Sequence, residues 1–240
     1  MAERLHAKRV FIGTGDYIDM MSPSNRQAYR QSGLYSSTMR AINDRTVTSI
    51  LYEAEELLKP HLEDNTILMA QGHHWMFADE YSDGFYSSKR DITTYHTDKY
   101  LAYQMGARFV QSAAILKIKF DSGRVYKIMS THGQGNGATL TYGLNKQSKA
   151  MGSWTDIDAY FMGHTHKAGL VAAAQLYEKD GELEARQTVV MTCGAFLKSY
   201  LVNEVHYPEE KHLAPLALSA GALLLSERDD DLYVSPMILL

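Results

Sequence analysis

Residues 156–167 read DIDAYFMGHTHK. The run Asp156 to Met162 is a short, mostly apolar stretch that stops at Gly163, which predicts a buried strand. The glycine is followed at once by His164-Thr165-His166. Alternate side chains on an extended segment share a face, so the two imidazoles can reach one site.

Three other predicted strands end in the same manner. Arg9 to Gly13 (RVFIG) leads into Thr14-Gly15-Asp16-Tyr17-Ile18-Asp19, and Thr66 to Ala70 (TILMA) into Gln71-Gly72-His73-His74. The strand Arg124 to Ser130 leads into Thr131-His132-Gly133. In layered α/β folds, ligands gather beyond the carboxyl ends of strands. Alone, a Gly-Asp after a strand is ordinarily a turn, and a loop histidine is ordinarily solvated. Asp16, His73, His74, His132, His164 and His166 in four such turns make a set of imidazole and carboxylate ligands suited to zinc, manganese or iron.

Outward from these turns, Ser37 to Leu62 carries apolar residues at helical spacing from Val47 onward, with Pro60 marking the expected end. Thr97 to Met105 reads as a short helix closed by Gly106. Arg108 to Phe120 reads as one strand, joined to the next by the turn Asp121-Ser122-Gly123. Thr131 to Gly143 is glycine-rich loop and Leu144 to Gly152 helix. Leu170 to Glu178 with Glu182 to Cys193, and Ala220 to Ser226 with Leu232 to Leu239, are two further hairpins. Strands and helices alternate in the first half, and hairpins dominate the second. The expectation is a layered α/β (α+β) sandwich flanked by helices, folded as one domain over residues 1–240.

The bulk numbers narrow the function. Hydrophobic residues make up 45% of the 240, which excludes disorder, and a chain this long buries a core without disulfides. Net charge is −4, so composition forces no strongly basic nucleic-acid surface. The single cysteine, Cys193, permits no intramolecular disulfide and reads as a small buried residue at a strand end. No signal peptide or membrane-length apolar run stands out, and the chain is expected to be cytoplasmic.

The order Gly-Asp, Gly-x-His, His-Gly, Gly-His-x-His resembles that of the calcineurin-like metallophosphoesterases, phage-encoded members in particular, from about Arg9 to about Tyr200. The resemblance implies a β-sandwich flanked by helices with two divalent ions (Mn²⁺, Fe²⁺ or Zn²⁺) at its strand ends. It implies that Asp16 bridges both ions, that His132 and His164 bind one, and that His166 binds the other. His74 takes the place of the histidine that assists at the scissile phosphate, and Asp19 either holds the loop or caps a helix. The implied reaction is hydrolysis of a phosphate ester, a diester foremost, by a metal-activated water, with DNA or RNA as a candidate substrate. Lys146 and Lys167, close to the motifs, are candidate phosphate contacts.

Three departures from the family matter. The Asp-x-His motif and its strand are absent before Asp16, so either they lie upstream of this sequence or the site works with fewer ligands and as few as one metal. His73 stands where the family has asparagine, and still offers a metal-binding nitrogen. Trp75 replaces the acid that follows the assisting histidine, which leaves open what orients His74. The alternative is a member that binds a metal or a phosphorylated partner without turnover. Tyr81, Tyr86 and Tyr95 with Lys89 and Arg90 suit base stacking, although the default reading is a loop over the sheet edge.

Overall fold

The computed structural model describes residues 8–20, 37–63, 65–79, 94–135, 139, 141–196, 218–228 and 231–239. The aromatic and basic segment around Tyr81 to Arg90, His6 and part of the glycine-rich loop lie outside them. The chain divides into two compact units, Met1–Ser112 and Ala113–Leu240.

In the first unit, β1 (Phe11–Gly13) precedes the long helix α1 (Ser37–Leu62), and β2 (Thr66–Ala70) follows it. The helix begins ten residues before the expected Val47 and passes Pro60. Proline removes one N–H and crowds the carbonyl four residues back, which in a last turn leaves room for two more residues. The terminal carbonyls are then satisfied: Glu63 N–H donates to Lys59 O, and Thr66 Oγ1 donates to Leu62 O at 2.8 Å. Val47 and Leu51, four apart, are buried and pack with Met69 of β2.

The hairpin β3 (Phe77–Asp79) and β4 (Thr94–His96) runs into α2 (Thr97–Gln104), and β5 (Arg108–Val110) closes the unit. Leu101, Ala102 and Met105 are fully buried in the same core. Gly106 ends the helix at φ 68, a conformation that costs glycine little, and Ala107 N–H donates to Ala102 O at 2.8 Å. The three parallel strands are ordered β1-β2-β5, so the turns holding Asp16 and His73 leave the same edge of one sheet.

The second unit opens with β6 (Ala113–Lys119) and β7 (Val125–Thr131), antiparallel around Asp121–Gly123. Residues 108–120 are therefore two strands, not the single strand the sequence suggested. β5 pairs in parallel with β2, and β6 pairs antiparallel with β7, so the chain changes sheets at Gln111-Ser112. Helix α3 (Tyr142–Met151) precedes β8 (Ala159–Met162), and β9 (Gly169–Lys179) and β10 (Glu182–Thr192) follow. Asp180 and Gly181, both at positive φ, form the tight turn between β9 and β10. β11 (Ala220–Arg228) pairs antiparallel with β12 (Asp231–Leu239).

The sheet order is β6-β7-β8-β10-β9, with β7, β8 and β10 parallel. All four residues of β8 and the last five of β10 are buried, as an apolar run covered on both faces requires. Met129, Met151, Ile157, Tyr160 and Val190 form the core there, with Leu144 of α3 against it. Gln147 of α3 donates to Met191 O at 3.0 Å, tying helix to sheet. The fold is thus mixed α and β with sheets flanked by helices, in keeping with the sequence reading. Among the described residues, no helix is long and apolar enough to cross a membrane.

Candidate active site

In the first unit, the glycine that stops β1 allows a close packing partner. A Cβ on Gly13 would overlap the Tyr17 ring, whose hydroxyl donates to Ala70 O at 2.9 Å, across to the end of β2. Burial, followed by the Asp98 carboxylate nearby, pushes the Tyr17 phenol far above its ordinary value, so it stays a donor. The chain turns at Gly15 and at Asp16, a non-glycine residue at φ 54. Such a conformation is uncommon for a residue with a side chain and is stored where the surroundings over-determine it.

Asp16 faces the turn after β2. Its Oδ1 accepts the His73 N–H at 2.5 Å and the His74 N–H at 2.9 Å. A Cβ on Gly72 would overlap the Asp16 backbone nitrogen and carboxylate, so the approach requires glycine. The Gly72 N–H donates to Asp98 Oδ2 at 2.8 Å, and Asp98 is almost wholly buried in the first turn of α2. Asp98 escaped the sequence reading because a Thr-Asp pair opening a helix is ordinary capping chemistry. Thr97 Oγ1 accepts the Met76 N–H at 3.1 Å and holds the far side of the same turn.

His74 Nδ1 lies 2.6 Å from Asp19 Oδ1. A carboxylate only accepts, so Nδ1 carries the proton and Nε2 is left to exchange one. Asp19 therefore supplies the orienting acid that Trp75 cannot. Trp75 turns away and stacks on His96, with ring centroids 4.2 Å apart.

In the second unit, the histidines stand past adjacent parallel strands. His132 follows β7 and is buried, and His164 and His166 follow β8. His164 Nδ1 is 3.1 Å from His132 Nε2, with the rings edge to face. Both His164 (φ 62) and His166 (φ 55) are left-handed. With Asp16, they are three of the four non-glycine residues at positive φ among the described residues, the fourth being Asp180 in its hairpin turn. Tight turns at three candidate ligands are what strained functional loops look like.

The donor set fits a divalent ion. Two nitrogens about 2.0–2.2 Å from one ion, at ligand angles of about 90–109°, lie about 2.8–3.6 Å apart, which includes the observed pair. The Ser130 and Thr165 hydroxyls, in the same two strand-to-loop segments, are buried with no hydrogen-bond partner among the described residues. Gly133, at φ 89, packs against the Met162 side chain and keeps the turn after His132 close to β8.

The two candidate lysines differ. Lys167 donates to Thr139 O at 2.9 Å and so tethers the loop before α3. Lys146 lies over the Tyr142 ring, 5.6 Å from its centroid. Cys193 follows β10 and is half-buried, more open than expected, and burial still raises its thiol pKa. The thiol is therefore a poor nucleophile.

No protein-family model matches the chain, and no curated protein matches it in sequence. Among solved structures, the chain is similar to a Vps29 double mutant from Entamoeba histolytica, at 11% identity over 77% of this chain and 89% of that chain, with a TM-score of 0.32. A likeness at this level adds nothing to the site, which stands on its own residues.

Proposed function

We propose that the chain is a metal-dependent phosphoesterase of the calcineurin-like type, acting on phosphodiesters. The observation that carries this reading is the pair His132 Nε2 and His164 Nδ1, 3.1 Å apart past two parallel strands, with His164 and His166 in strained turns. Asp16 and His73 join the ligand set through the sequence resemblance, with Mn²⁺, Fe²⁺ or Zn²⁺ as the ion. When bound, divalent ions supply Lewis acidity toward phosphoryl oxygens and a water of lowered pKa.

The protein's own part centres on His74. Asp19 fixes the ring through Nδ1, and Nε2 delivers a proton to the leaving oxygen in this reading. Asp16 aligns the backbone of His73 and His74 through two N–H bonds, which couples the ligand turn to the acid. Lys146 and Lys167 act on the substrate side. A cytoplasmic location and a nucleic-acid substrate belong to this same reading.

Purified protein assayed on bis-p-nitrophenyl phosphate with Mn²⁺ tests it. His164→Ala or Asp16→Ala is expected to lower turnover at least about 10³-fold with unchanged far-UV circular dichroism. Full activity in either variant would overturn the assignment. Metal binding by the wild type without turnover would favour a member that binds metal or a phosphorylated partner only.

A further inference from the structure

The stretches of sequence that carry the second-unit histidines are unevenly charged for a chain of net charge −4. Residues 122–155 and 159–177 contain no Asp or Glu, yet they carry Arg124, Lys127, Lys146, Lys149 and Lys167. Lys127 is neutralised: it pairs with Asp156, which lies just outside these stretches. Lys146 has no carboxylate partner among the described residues, although it is half-buried.

Its position is set by three elements of local structure. Lys146 and Tyr142 are four residues apart on α3 and so share a helix face. That face meets the loop that starts at His132: a Cβ on Gly135 would lie 2.6 Å from the Tyr142 hydroxyl and 3.3 Å from Lys146 Nζ. Gly135 is itself at φ 83, so the loop can hold this approach only without a side chain. A lysine four residues from a tyrosine on an open helix face calls for no ligand. An ammonium half-buried over a ring, beside a ligand loop and without a carboxylate partner among the described residues, is placed to receive an anion.

We infer that Tyr142 and Lys146 form a subsite for the nucleotide next to the scissile diester in a single-stranded nucleic acid, with Lys146 on its phosphate and Tyr142 against its base. The chemistry is that of strand binding by an ammonium and an aromatic ring. This rests on the phosphodiesterase reading, and it narrows its nucleic-acid substrate to a single strand that carries a second phosphate beside the scissile one.

The test compares Lys146→Gln and Lys146→Arg with the wild type on two substrates, bis-p-nitrophenyl phosphate and a hexathymidylate. Fluorescence anisotropy of a labelled hexathymidylate without added metal supplies a readout independent of turnover. Lys146→Gln is expected to raise KM and Kd for the oligonucleotide about tenfold, and to flatten the salt dependence of log Kd by about 0.7. The same variant should lose less kcat/KM on the single diester than on the oligonucleotide, and Lys146→Arg should restore oligonucleotide binding. An equal loss on both substrates, or an unchanged oligonucleotide Kd, would overturn the subsite. If the wild type hydrolyses neither substrate, the proposed function fails, while the anisotropy comparison still decides the subsite.

Discussion

At the residue scale, the pair Asp19 and His74 shows what a short contact settles. The two are 55 positions apart, and the sequence puts each in a separate turn. A carboxylate 2.6 Å from Nδ1 orients a loop histidine, and in the proposed function that histidine is the acid. Asp19→Asn should lower kcat about 10²-fold with KM changed less than about threefold. The loss should be greater for an alkyl ester than for a p-nitrophenyl ester, because p-nitrophenolate leaves without a proton. Equal losses for both leaving groups would mean that Asp19 holds the loop and not the acid. Asp16, His132 and His164 were legible in the sequence because each follows a glycine or an apolar strand, and His166 because it lies two residues after His164. The orienting role of Asp19 was not, because it depends on a partner that only the folded turn supplies. Nor was Asp98, whose buried carboxylate takes the Gly72 N–H.

At the element scale, the first unit brings two strand ends together through Tyr17 and Gly72. Tyr17 spans from the turn after β1 to the Ala70 carbonyl. Because burial raises its pKa in the folded state, it stays protonated where the unfolded chain ionises. The unfolded state then binds fewer protons, and stability falls as pH rises past the ordinary tyrosine value of about 10. Tyr17→Phe should cost about 1 kcal/mol near neutral pH and flatten that alkaline decline, as read by urea denaturation between pH 7 and 11. An alkaline slope identical to the wild type would deny the phenol this role. Gly72→Ala should be harsher, by about 1–3 kcal/mol, because its Cβ meets the Asp16 backbone, which cannot yield as a flexible side chain can. The element reading from sequence went astray where no breaker residue marks a boundary. Residues 108–120 contain neither glycine nor proline, and the switch from parallel to antiparallel pairing at Gln111-Ser112 left only two polar residues as a sign. Pro60 misled in the other direction, since a proline in the last turn shortens a helix less than one in its middle.

At the scale of the whole molecule, two compact units each present candidate ligands beyond the carboxyl ends of parallel strands. That repetition was visible in the sequence as the glycine-stopped apolar runs, and it is why the class of fold was readable while the number of ions was not. Charge is distributed unevenly on the same scale. Asp156 takes both Lys127 and Arg186, and these cations, Lys127 foremost, hold its carboxyl below the ordinary range. The side chain is well exposed, so Asp156→Asn should cost under about 1 kcal/mol, measurable by denaturation at neutral pH. That contribution should vanish as pH falls through the lowered carboxyl value, and a cost that persists in acid would point to packing instead. The measurement that bears most directly on the central claim is metal content by elemental analysis, paired with Mn²⁺-dependent turnover of bis-p-nitrophenyl phosphate, for wild type and His132→Ala/His164→Ala. The account predicts at least one bound divalent ion per chain with turnover in the wild type, and loss of both in the double variant. Equal metal content in the two proteins, or turnover that survives the loss of both imidazoles, would contradict it.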